Sequence, residues 1–384
     1  MAHIFKYPKN GKKGLIVLTH KEMIEYEYIW FITSRRDYIF NLFKSYKLPF
    51  KLYKQIRIKQ MIKKLKKYYF IGIHYGWIMK NPKIPEWIDF HLAKRSTLVL
   101  DDYSEHFLVP LASRNFTPIV MKNKNVPKYW DIVIVAKNIK HKKLDTFLQE
   151  IRKIYNLGYK YKVLIISSSN KGEENSKAYA NNLFDIYFND FSYEERENIT
   201  LLKLDWRLGF QGLHYSTISH LLNQSKVFAF FTEVEGVAKA LQEALLCGLP
   251  VVAYSKLAGG GADYLNEKNS VFFDNFNKAH LSLIEAVENY EKFEVNTEEL
   301  AKELYDIYSI EKFKEYMNML YKKYNQTFDG ELVNTDNLNR RLPAHFYDKN
   351  LGWCDDGKYR YTTTDIVSLY EFKRFYQKCM EGIK

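Results

Sequence analysis

The sequence predicts an α/β protein of two lobes, each built on a mainly parallel sheet. Short β-rich runs alternate with stretches of helical periodicity along most of the chain. The 384 residues are long for one core and comfortable for two. A polar stretch containing a proline, "VMKNKNVPKYW" at 120–130, has the composition of a linker between lobes. The predicted division is an N-terminal lobe at 1–125, a C-terminal lobe at 126–325 and a tail at 326–384.

The N-terminal lobe is predicted from strands separated by a basic helical region. Its β-rich runs are "GLIVLTH" (14–20), "YYFIGIHYGWI" (68–78) and "STLVLDDYSEHFLVPLASR" (96–114).

The C-terminal lobe follows the same alternation and begins with "DIVIVAKN" (131–138), whose apolar run indicates a buried strand. The helix "LDTFLQEIRKIYNLG", the strands "YKVLIISSS" and "NITLLKLDW", the helix "ISHLLNQS", and the strands "KVFAFFT", "VVAYS" and "SVFFD" continue it. In the tail, only "TTDIVSLYEFKRFYQKCMEGIK" predicts a helix.

Cysteine content and hydropathy indicate a cytoplasmic protein. Cys247, Cys354 and Cys379 are odd in number and far apart, without a CxxC pair. We therefore expect neither a disulfide framework nor a zinc site, and a reducing compartment. We also expect no leader peptide and no membrane-spanning helix.

The net charge of +13 is concentrated in residues 44–67, "KSYKLPFKLYKQIRIKQMIKKLKK", which hold ten basic residues and no acidic one. Apolar residues interleaved with Lys and Arg suit a segment lying on anionic lipid, and we expect this segment to bind the inner face of a membrane. A solvated helix with a buried apolar face and a nucleic-acid backbone contact remain alternatives, although nucleic acid is the less expected partner.

A strand–turn–helix–strand unit at 226–254 carries the most specific pattern in the chain. Gly236 follows a strand, the apolar residues after it fall at helical spacing, and Gly248 and Pro250 end the helix. A helix beginning beside Gly236 presents N–H groups that suit a phosphate. Glu243 would then lie about 10 Å along the axis from Gly236, matching a ligand with hydroxyls at both ends and phosphates between. The alternative is that Glu235 is a first-turn partner of the helix dipole and Glu243 a surface residue.

Four motifs in order resemble retaining glycosyltransferases of the GT-B fold, particularly family 4. "EGVAKALQEALLCGLPVVA" resembles that family's Glu-Gly-Phe…Glu-Ala-(Met/Leu)-Ala-Cys-Gly-Leu-Pro-Val-Val segment, with the Glu-x7-Glu spacing intact. "LAGGGADYLNEKNSVFFD" resembles its Gly-Gly-x-x-Glu segment and the one after it, and "VIVAKNIKHKKLDTFL" its Gly-Arg…Lys-Gly segment. The resemblance covers about residues 96–325. It implies two Rossmann-like lobes facing each other across a cleft, with a C-terminal helical tail packed back on the N-terminal lobe.

The resemblance also implies a donor site for a nucleotide-diphosphate sugar. Lys137 falls on the family's Arg and Lys142 on its Lys, so both would grip the diphosphate together with the helix N-terminus at Gly236. Lys137 keeps the charge but not the planar guanidinium fork. Both could instead be solvated lysines in a lysine-rich stretch. By the same resemblance, Glu243 would hold the ribose and Glu235 the transferred sugar.

Four further residues are candidates at the donor site. Val237 and Ala238 replace the family's usual Phe-Gly or Phe-Pro and would border the sugar. Lys239 is a further phosphate or sugar-carboxylate contact, or a solvated helix lysine. Trp206 would stack on the base, or belongs to the core.

On the acceptor side, His74 falls where the family has a cleft histidine, and it would bond a sugar hydroxyl or assist its proton transfer. A histidine that satisfies its neighbours is the alternative. Asp101 and Asp102 resemble a metal pair, but they align with the loop before a helix whose N-cap would be Ser104. No metal and no cofactor is expected.

The predicted function is the transfer of a hexosyl or related sugar from a nucleotide diphosphate, UDP or GDP, to a hydroxyl of a saccharide acceptor, with retention. The expected acceptor is lipid-linked, of the cell-surface polysaccharide or lipopolysaccharide type. Rival functions are a nucleotide-sugar epimerase or hydrolase on the same fold, a nucleic-acid glucosylating enzyme and a non-catalytic membrane-binding protein.

Overall fold

A computed structural model describes residues 2–18, 50–74, 79–80, 87–93, 98–99, 107–168, 174–204, 213–335, 338 and 369–383. The chain divides into a first unit, residues 1–113 with 310–384, and a second unit, residues 114–309. These divisions lie before the positions predicted from the sequence, 125/126 and 325/326. The predictions for Trp206, Asp101, Asp102 and Ser104, and for residues 44–49, fall outside the described residues.

The first unit is built on a five-stranded sheet in the order β1-β2-β3-β5-β7. Strands β2, β3, β5 and β7 run parallel, while β1 pairs antiparallel with β2. A separate two-stranded parallel pair joins β4 and β6. The strands span β1 Ala2–Lys6, β2 Gly14–Leu18, β3 Tyr69–His74, β4 Met79–Lys80, β5 Phe90–Leu92, β6 Leu98–Val99 and β7 Leu108–Val109.

Two helices distant in sequence, α1 (Phe50–Leu65) and α10 (Leu369–Glu381), cover one face of this sheet. The Tyr69 hydroxyl of β3 donates a 2.6 Å hydrogen bond to the carbonyl of Cys379 in α10. The shared core contains Ile4, Ile16, Leu18, Tyr69 and Ile71 from the strands, and Ile58, Ile62, Leu65, Phe372 and Cys379 from the helices. The apolar residues of the basic segment that the structure describes as buried therefore belong to the core. Ile58, Ile62 and Leu65 thus fit the alternative of a helix with a buried apolar face, and membrane binding by the segment stays a prediction.

The opposite face of the same sheet packs against α9 (Asp306–Lys323). Phe5 meets Phe313 with ring centroids 5.8 Å apart, and Phe70 meets Tyr321 at 4.8 Å. Since neighbouring residues of a strand point to opposite faces, Ile4 packs on the side of α1 and α10 and Phe5 on the side of α9.

The second unit contains a six-stranded, fully parallel sheet in the order β10-β9-β8-β11-β12-β13. Counted from β8, this is the 3-2-1-4-5-6 order of the Rossmann fold. Its strands are β8 Trp130–Lys137, β9 Val163–Ser168, β10 Ile199–Leu204, β11 Ser225–Phe230, β12 Val251–Tyr254 and β13 Ser270–Phe273. Its helices are α2 Leu144–Asn156, α3 Glu174–Asp190, α4 Tyr193–Arg196, α5 Tyr215–Asn223, α6 Lys239–Leu246, α7 Ala279–Glu288 and α8 Thr297–Leu304.

Helices cover both faces of this sheet. Ile132 and Ile134 of β8 face a core shared with α2 and α7, while Val133 faces a core shared with α6. Strands buried on both faces are apolar throughout, which is why "DIVIVAKN" and "KVFAFFT" predicted β8 and β11 so directly. Among the described residues, none of the helices combines the length and apolar character needed to cross a membrane.

Candidate functional site

The candidate site lies at the carboxyl edge of the second sheet, between the neighbouring strands β8 and β11. The strand order reverses direction at this pair. Ligands of open α/β sheets bind in the crevice that forms at such a switch point. The loops after β8 and β11 therefore form the candidate functional site.

The loop after β8 carries the two predicted diphosphate ligands. Lys137 is the last residue of β8, and the N–H of Asn138 donates to the Ser168 carbonyl at 2.8 Å, which holds the loop to β9. A single 3-10 turn, Lys140–Lys142, follows. Lys143 then adopts a left-handed conformation with φ of 49°, and α2 begins. This geometry places Lys137 and Lys142 on one short loop.

The loop after β11, residues 231–238, carries Glu235 and Gly236. The hydroxyl of Thr232 donates to the carbonyl of His141 at 3.1 Å, joining this loop to the one after β8. The N–H of Glu235 donates to the Ala258 carbonyl at 3.0 Å, and the N–H of Ala258 donates to the Glu233 carbonyl at 2.9 Å. The position of Glu235 is therefore fixed by backbone bonds on one side and by the lysine loop on the other.

Lys142 and Glu235 form a direct ion pair, with side chains only 15% and 13% exposed. Burial, together with repulsion by the charge of Lys137, lowers the pKa of Lys142 to about 7. The attraction of the Glu235 carboxylate acts in the opposite sense and favours the ammonium form. The structure thus brings together all three charged groups that the sequence placed at the diphosphate and the sugar.

A second lysine–glutamate pair lies beside the first but faces solvent. The ammonium group of Lys143 is 3.0 Å from the Glu233 carboxylate, whose side chain is 54% exposed. Lys143 also lies over the ring of Phe276, 4.4 Å from its centroid. Two adjacent lysines of one loop and two glutamates, two residues apart, of the other therefore make one buried pair and one more exposed pair.

Helix α6 begins three residues later than the sequence predicted. Ala238 adopts a left-handed conformation with φ of 46°, and Lys239 is the first helical residue. Gly236 and Val237 therefore lie in the preceding turn. The expected rise of about 10 Å from Gly236 to Glu243 along one helix is wrong, because a left-handed residue interrupts the helix between them.

The N-terminus of α6 has no side-chain cap, since the capping position is Ala238. Val237 and Ala238 are 2% and 3% exposed, so they face the core and offer a ligand their backbone only. The side-chain amide of Gln242 donates to the Val237 carbonyl at 3.1 Å and holds this turn from below. Lys239 is half-buried at the first position of the helix.

Glu243 is half-buried one turn further along α6. Its N-terminal neighbour Gln242 and its C-terminal neighbour Ala244 are buried, so Glu243 is the residue of this turn with exposed surface. Its role toward a ribose stays a prediction.

The sequence did not identify Arg114, whose side chain has no exposed surface. The guanidinium donates to the carbonyl of Gly260, pairs with the Asp263 carboxylate at 3.1 Å and lies 5.2 Å from the centroid of the Tyr264 ring. A Cβ added at Gly260 would lie 2.5 Å from the carbonyl oxygen of Gly236. Arg114 thus holds the glycine-rich loop against the turn that carries Glu235. Nothing in the spacing around "ASRNF" could have shown this, because the partner is 146 residues away.

His74 lies in the first unit at the end of β3 and is fully buried. Its Nε2 accepts a hydrogen bond from the N–H of Ser113 at 3.2 Å. This environment fits the histidine that satisfies its neighbours better than one that contacts an acceptor, and the acceptor role stays a prediction. Across the part of the chain that the structure describes, no group of three or more His, Cys, Asp or Glu residues could hold a metal ion.

Residues 116–306, which are 191 of the 384, match the family described as "Glycosyl transferases group 1". No curated protein sequence matches the chain.

Solved structures resemble it at low identity. Sucrose-phosphate synthase from Thermosynechococcus elongatus is 12% identical with a TM-score of 0.50, covering 73% of this chain and 80% of that one. The pneumococcal O-GlcNAc transferase GtfA, solved with UDP and GlcNAc, is 11% identical with a TM-score of 0.49, covering 68% and 54%. TarM, known from S. aureus, is 13% identical with a TM-score of 0.47, covering 66% and 51%. This chain therefore matches only about half the length of GtfA and of TarM.

Two parallel-sheet α/β units, followed by a helical C-terminal tail, fit the GT-B fold. The match to the group 1 glycosyl transferases lies within the second unit and spans the lysine loop, the Glu235 turn and the glycine-rich loop.

Proposed function

We propose that the protein is a retaining glycosyltransferase that moves a hexosyl or related sugar from a nucleotide-diphosphate sugar to a hydroxyl of a saccharide. The observation that carries this proposal is the buried Lys142–Glu235 pair beside Lys137 at the switch point. Two cations suit a diphosphate, and a carboxylate suits the hydroxyls of a sugar attached to it.

Donor binding in this proposal exchanges one partner of Lys142 for another. The diphosphate oxygens draw the ammonium group of Lys142 away from Glu235, because two nearby phosphates attract it more strongly than one carboxylate. Glu235 is then left to accept hydrogen bonds from hydroxyls of the donor sugar. The same rearrangement raises the pKa of Lys142, since a dianion replaces a monoanion beside it.

The chemical step breaks the bond between the anomeric carbon and the diphosphate oxygen, and the departing diphosphate keeps the bonding electrons. The acceptor hydroxyl forms the new bond on the same face of the sugar and gives its proton to the departing phosphate. Lys137, Lys142 and the N–H groups at the start of α6 stabilise the charge that develops on the leaving group, while Glu235 lies near the cationic sugar.

The nucleotide of the donor is UDP or GDP in this proposal, and the reaction needs no metal ion, since lysines neutralise the diphosphate. The acceptor is a lipid-linked saccharide of the cell-surface polysaccharide or lipopolysaccharide type, presented at the cytoplasmic face of a membrane. Residues 44–67 would bring the protein to that surface.

A thermal-shift panel of UDP, GDP, ADP and CMP sugars tests the donor. A ligand at a hundred times its Kd stabilises the native state by about 2.7 kcal/mol, a readily measured shift. Glu235→Gln is the matched variant. It should lose the additional thermal shift that the sugar of the nucleotide sugar provides but keep the thermal shift produced by the free nucleotide diphosphate. No response to any nucleotide sugar would refute the proposal.

A transfer assay with the stabilising donor separates the rival functions. Release of free sugar or an epimerised nucleotide without acceptor would support a hydrolase or epimerase instead. Transfer of the sugar to nucleic acid would support a nucleic-acid glucosylating enzyme instead.

A further inference from the structure

The two helices on one face of the first sheet turn their outer sides to the same solvent region. Helices α1 and α10 contact each other, and both pack on the sheet residues Ile16, Leu18 and Ile71. The side chains on the outer sides of α1 and α10 therefore both point away from the sheet.

The outer side of α1 is cationic. Ile58, Ile62 and Leu65 are buried, while Arg57, Lys63 and Lys64 are exposed. Lys67, just beyond the helix, is also exposed. The helix has no acidic residue at all.

The outer side of α10 continues this character. Phe372 and Cys379 are buried against the sheet, while Lys373, Arg374 and Lys378 are exposed. Glu381 is an exposed acidic residue at the end of the helix. Among the side chains of α10 that the structure describes, three exposed cations and one exposed carboxylate leave this side positive.

We propose that Arg57, Lys63, Lys64, Lys67, Lys373, Arg374 and Lys378 form one two-helix cationic surface that binds the headgroups of anionic membrane lipids. The C-terminal helix thereby supplies half of a surface that the sequence assigned to residues 44–67 alone. Binding is electrostatic, because the described apolar residues of both helices are committed to the core.

The shape of the surface favours a membrane over nucleic acid. Two helices side by side on a sheet make a broad layer, whereas proteins that bind duplexes usually place a helix or ribbon into a groove. Tyr68 is 39% exposed beside Lys67, and a partly exposed tyrosine suits the headgroup region.

Vesicle co-sedimentation of the whole protein, without donor or acceptor, tests this proposal separately from the transfer reaction. The vesicles contain phosphatidylcholine with about one third phosphatidylglycerol, and pure phosphatidylcholine serves as the neutral comparison. Two variants reverse two charges each: Lys63→Glu with Lys64→Glu on α1, and Lys373→Glu with Lys378→Glu on α10. The matched control, Lys322→Glu with Lys323→Glu, makes the same charge change on exposed residues of α9, which covers the opposite face of the sheet.

We expect each reversal on α1 or α10 to lower the partition coefficient at least about tenfold and the control to lower it less than about twofold. Binding should also fall steeply between about 0.1 and 0.5 M salt, since salt screens exposed charges. Four results would each overturn the proposal. They are an α10 variant that binds like the wild type, three variants weakened equally, binding that survives high salt, and duplex or single-stranded DNA bound more tightly than the vesicles. If a reversal impairs folding, as circular dichroism would show, the neutral variant Lys373→Gln with Lys378→Gln replaces it.

Discussion

Replacing Lys142 with Met should destabilise the protein as well as impair it, because the resting site holds Lys142 in a buried ion pair with Glu235. Met is unbranched and one atom shorter than Lys, and it removes the ammonium group with its charge and its hydrogen-bond donors. Removing one partner of a buried pair costs about 3–5 kcal/mol, since the remaining charge stays buried and unpaired. Both side chains keep some exposure, so we expect a value near the lower end, about 3 kcal/mol.

The second unit, residues 114–309, falls in the size range in which 1 kcal/mol shifts the melting temperature by about 2–4 °C. The expected loss is therefore about 6–12 °C for Lys142→Met, measured by calorimetry without ligand below pH 7, where Lys142 is charged. The neighbouring change Lys143→Met is the control, because its pair with Glu233 is solvent-exposed and such pairs contribute at most about 1 kcal/mol. Lys and Met are both unbranched, so the left-handed backbone at position 143 should accept either side chain alike.

A double-mutant cycle separates stability from catalysis. Lys142→Met combined with Glu235→Gln should recover most of the lost stability, because no uncompensated charge is left. The double variant should nevertheless transfer sugar at least about tenfold more slowly than the wild type, since both donor contacts are gone. If Lys142→Met melts with the wild type and its donor KM is unchanged, Lys142 neither pairs with Glu235 nor belongs to the site.

Three further predictions concern the same site. The donor KM should rise as pH increases above about 7, because Lys142 has a lowered pKa and its neutral amine cannot attract a diphosphate. The variant Lys142→Arg stays charged, so its donor KM should remain constant to higher pH. Identical pH profiles of KM for the two proteins would contradict this reasoning. Gly260→Ala should weaken donor binding and cost about 1–3 kcal/mol of stability, because its Cβ would meet Arg114 and the Gly236 carbonyl. Chemical denaturation measures the stability, and donor titration measures the binding. If neither changes, the glycine-rich loop does not fix the position of the Glu235 turn. Chelation by EDTA should leave the transfer rate unchanged, and a rate abolished by EDTA and restored by manganese would show that a metal ion is needed.

The inner strands of the second sheet, β8, β9, β11 and β12, were predictable from the sequence because they are largely buried on both faces. A short apolar run such as "DIVIVAKN" fits a buried parallel strand or a buried helix segment, and its shortness and β-branched Ile and Val residues favour the strand. The pairing of Lys142 with Glu235 was predictable only in part. The resemblance placed both at one ligand, but their direct contact depends on β8 and β11 being neighbours, which the sequence order does not state.

Other features depended on geometry that leaves little trace in the sequence. The start of α6 was misplaced because Ala238 adopts a left-handed conformation, which is uncommon for alanine. Val237 was assigned to the donor by position, yet the turn directs its side chain into the core. In the basic segment, alternation of Lys and Ile fits both a lipid-facing and a core-facing helix, and only the packing of Ile58 and Ile62 decides between them.

The division of the chain also has a consequence for the order in which the protein assembles during synthesis. The second unit is continuous, residues 114–309, whereas the first is completed only by residues after 309. Because synthesis proceeds from the N-terminus, the first sheet emerges with one face lacking α9 and the other lacking α10. The strands of the nascent first unit therefore stay exposed until the residues after 309 have been synthesised. A premature stop after residue 309 would therefore leave the second unit complete and the first one open to chaperones and proteases.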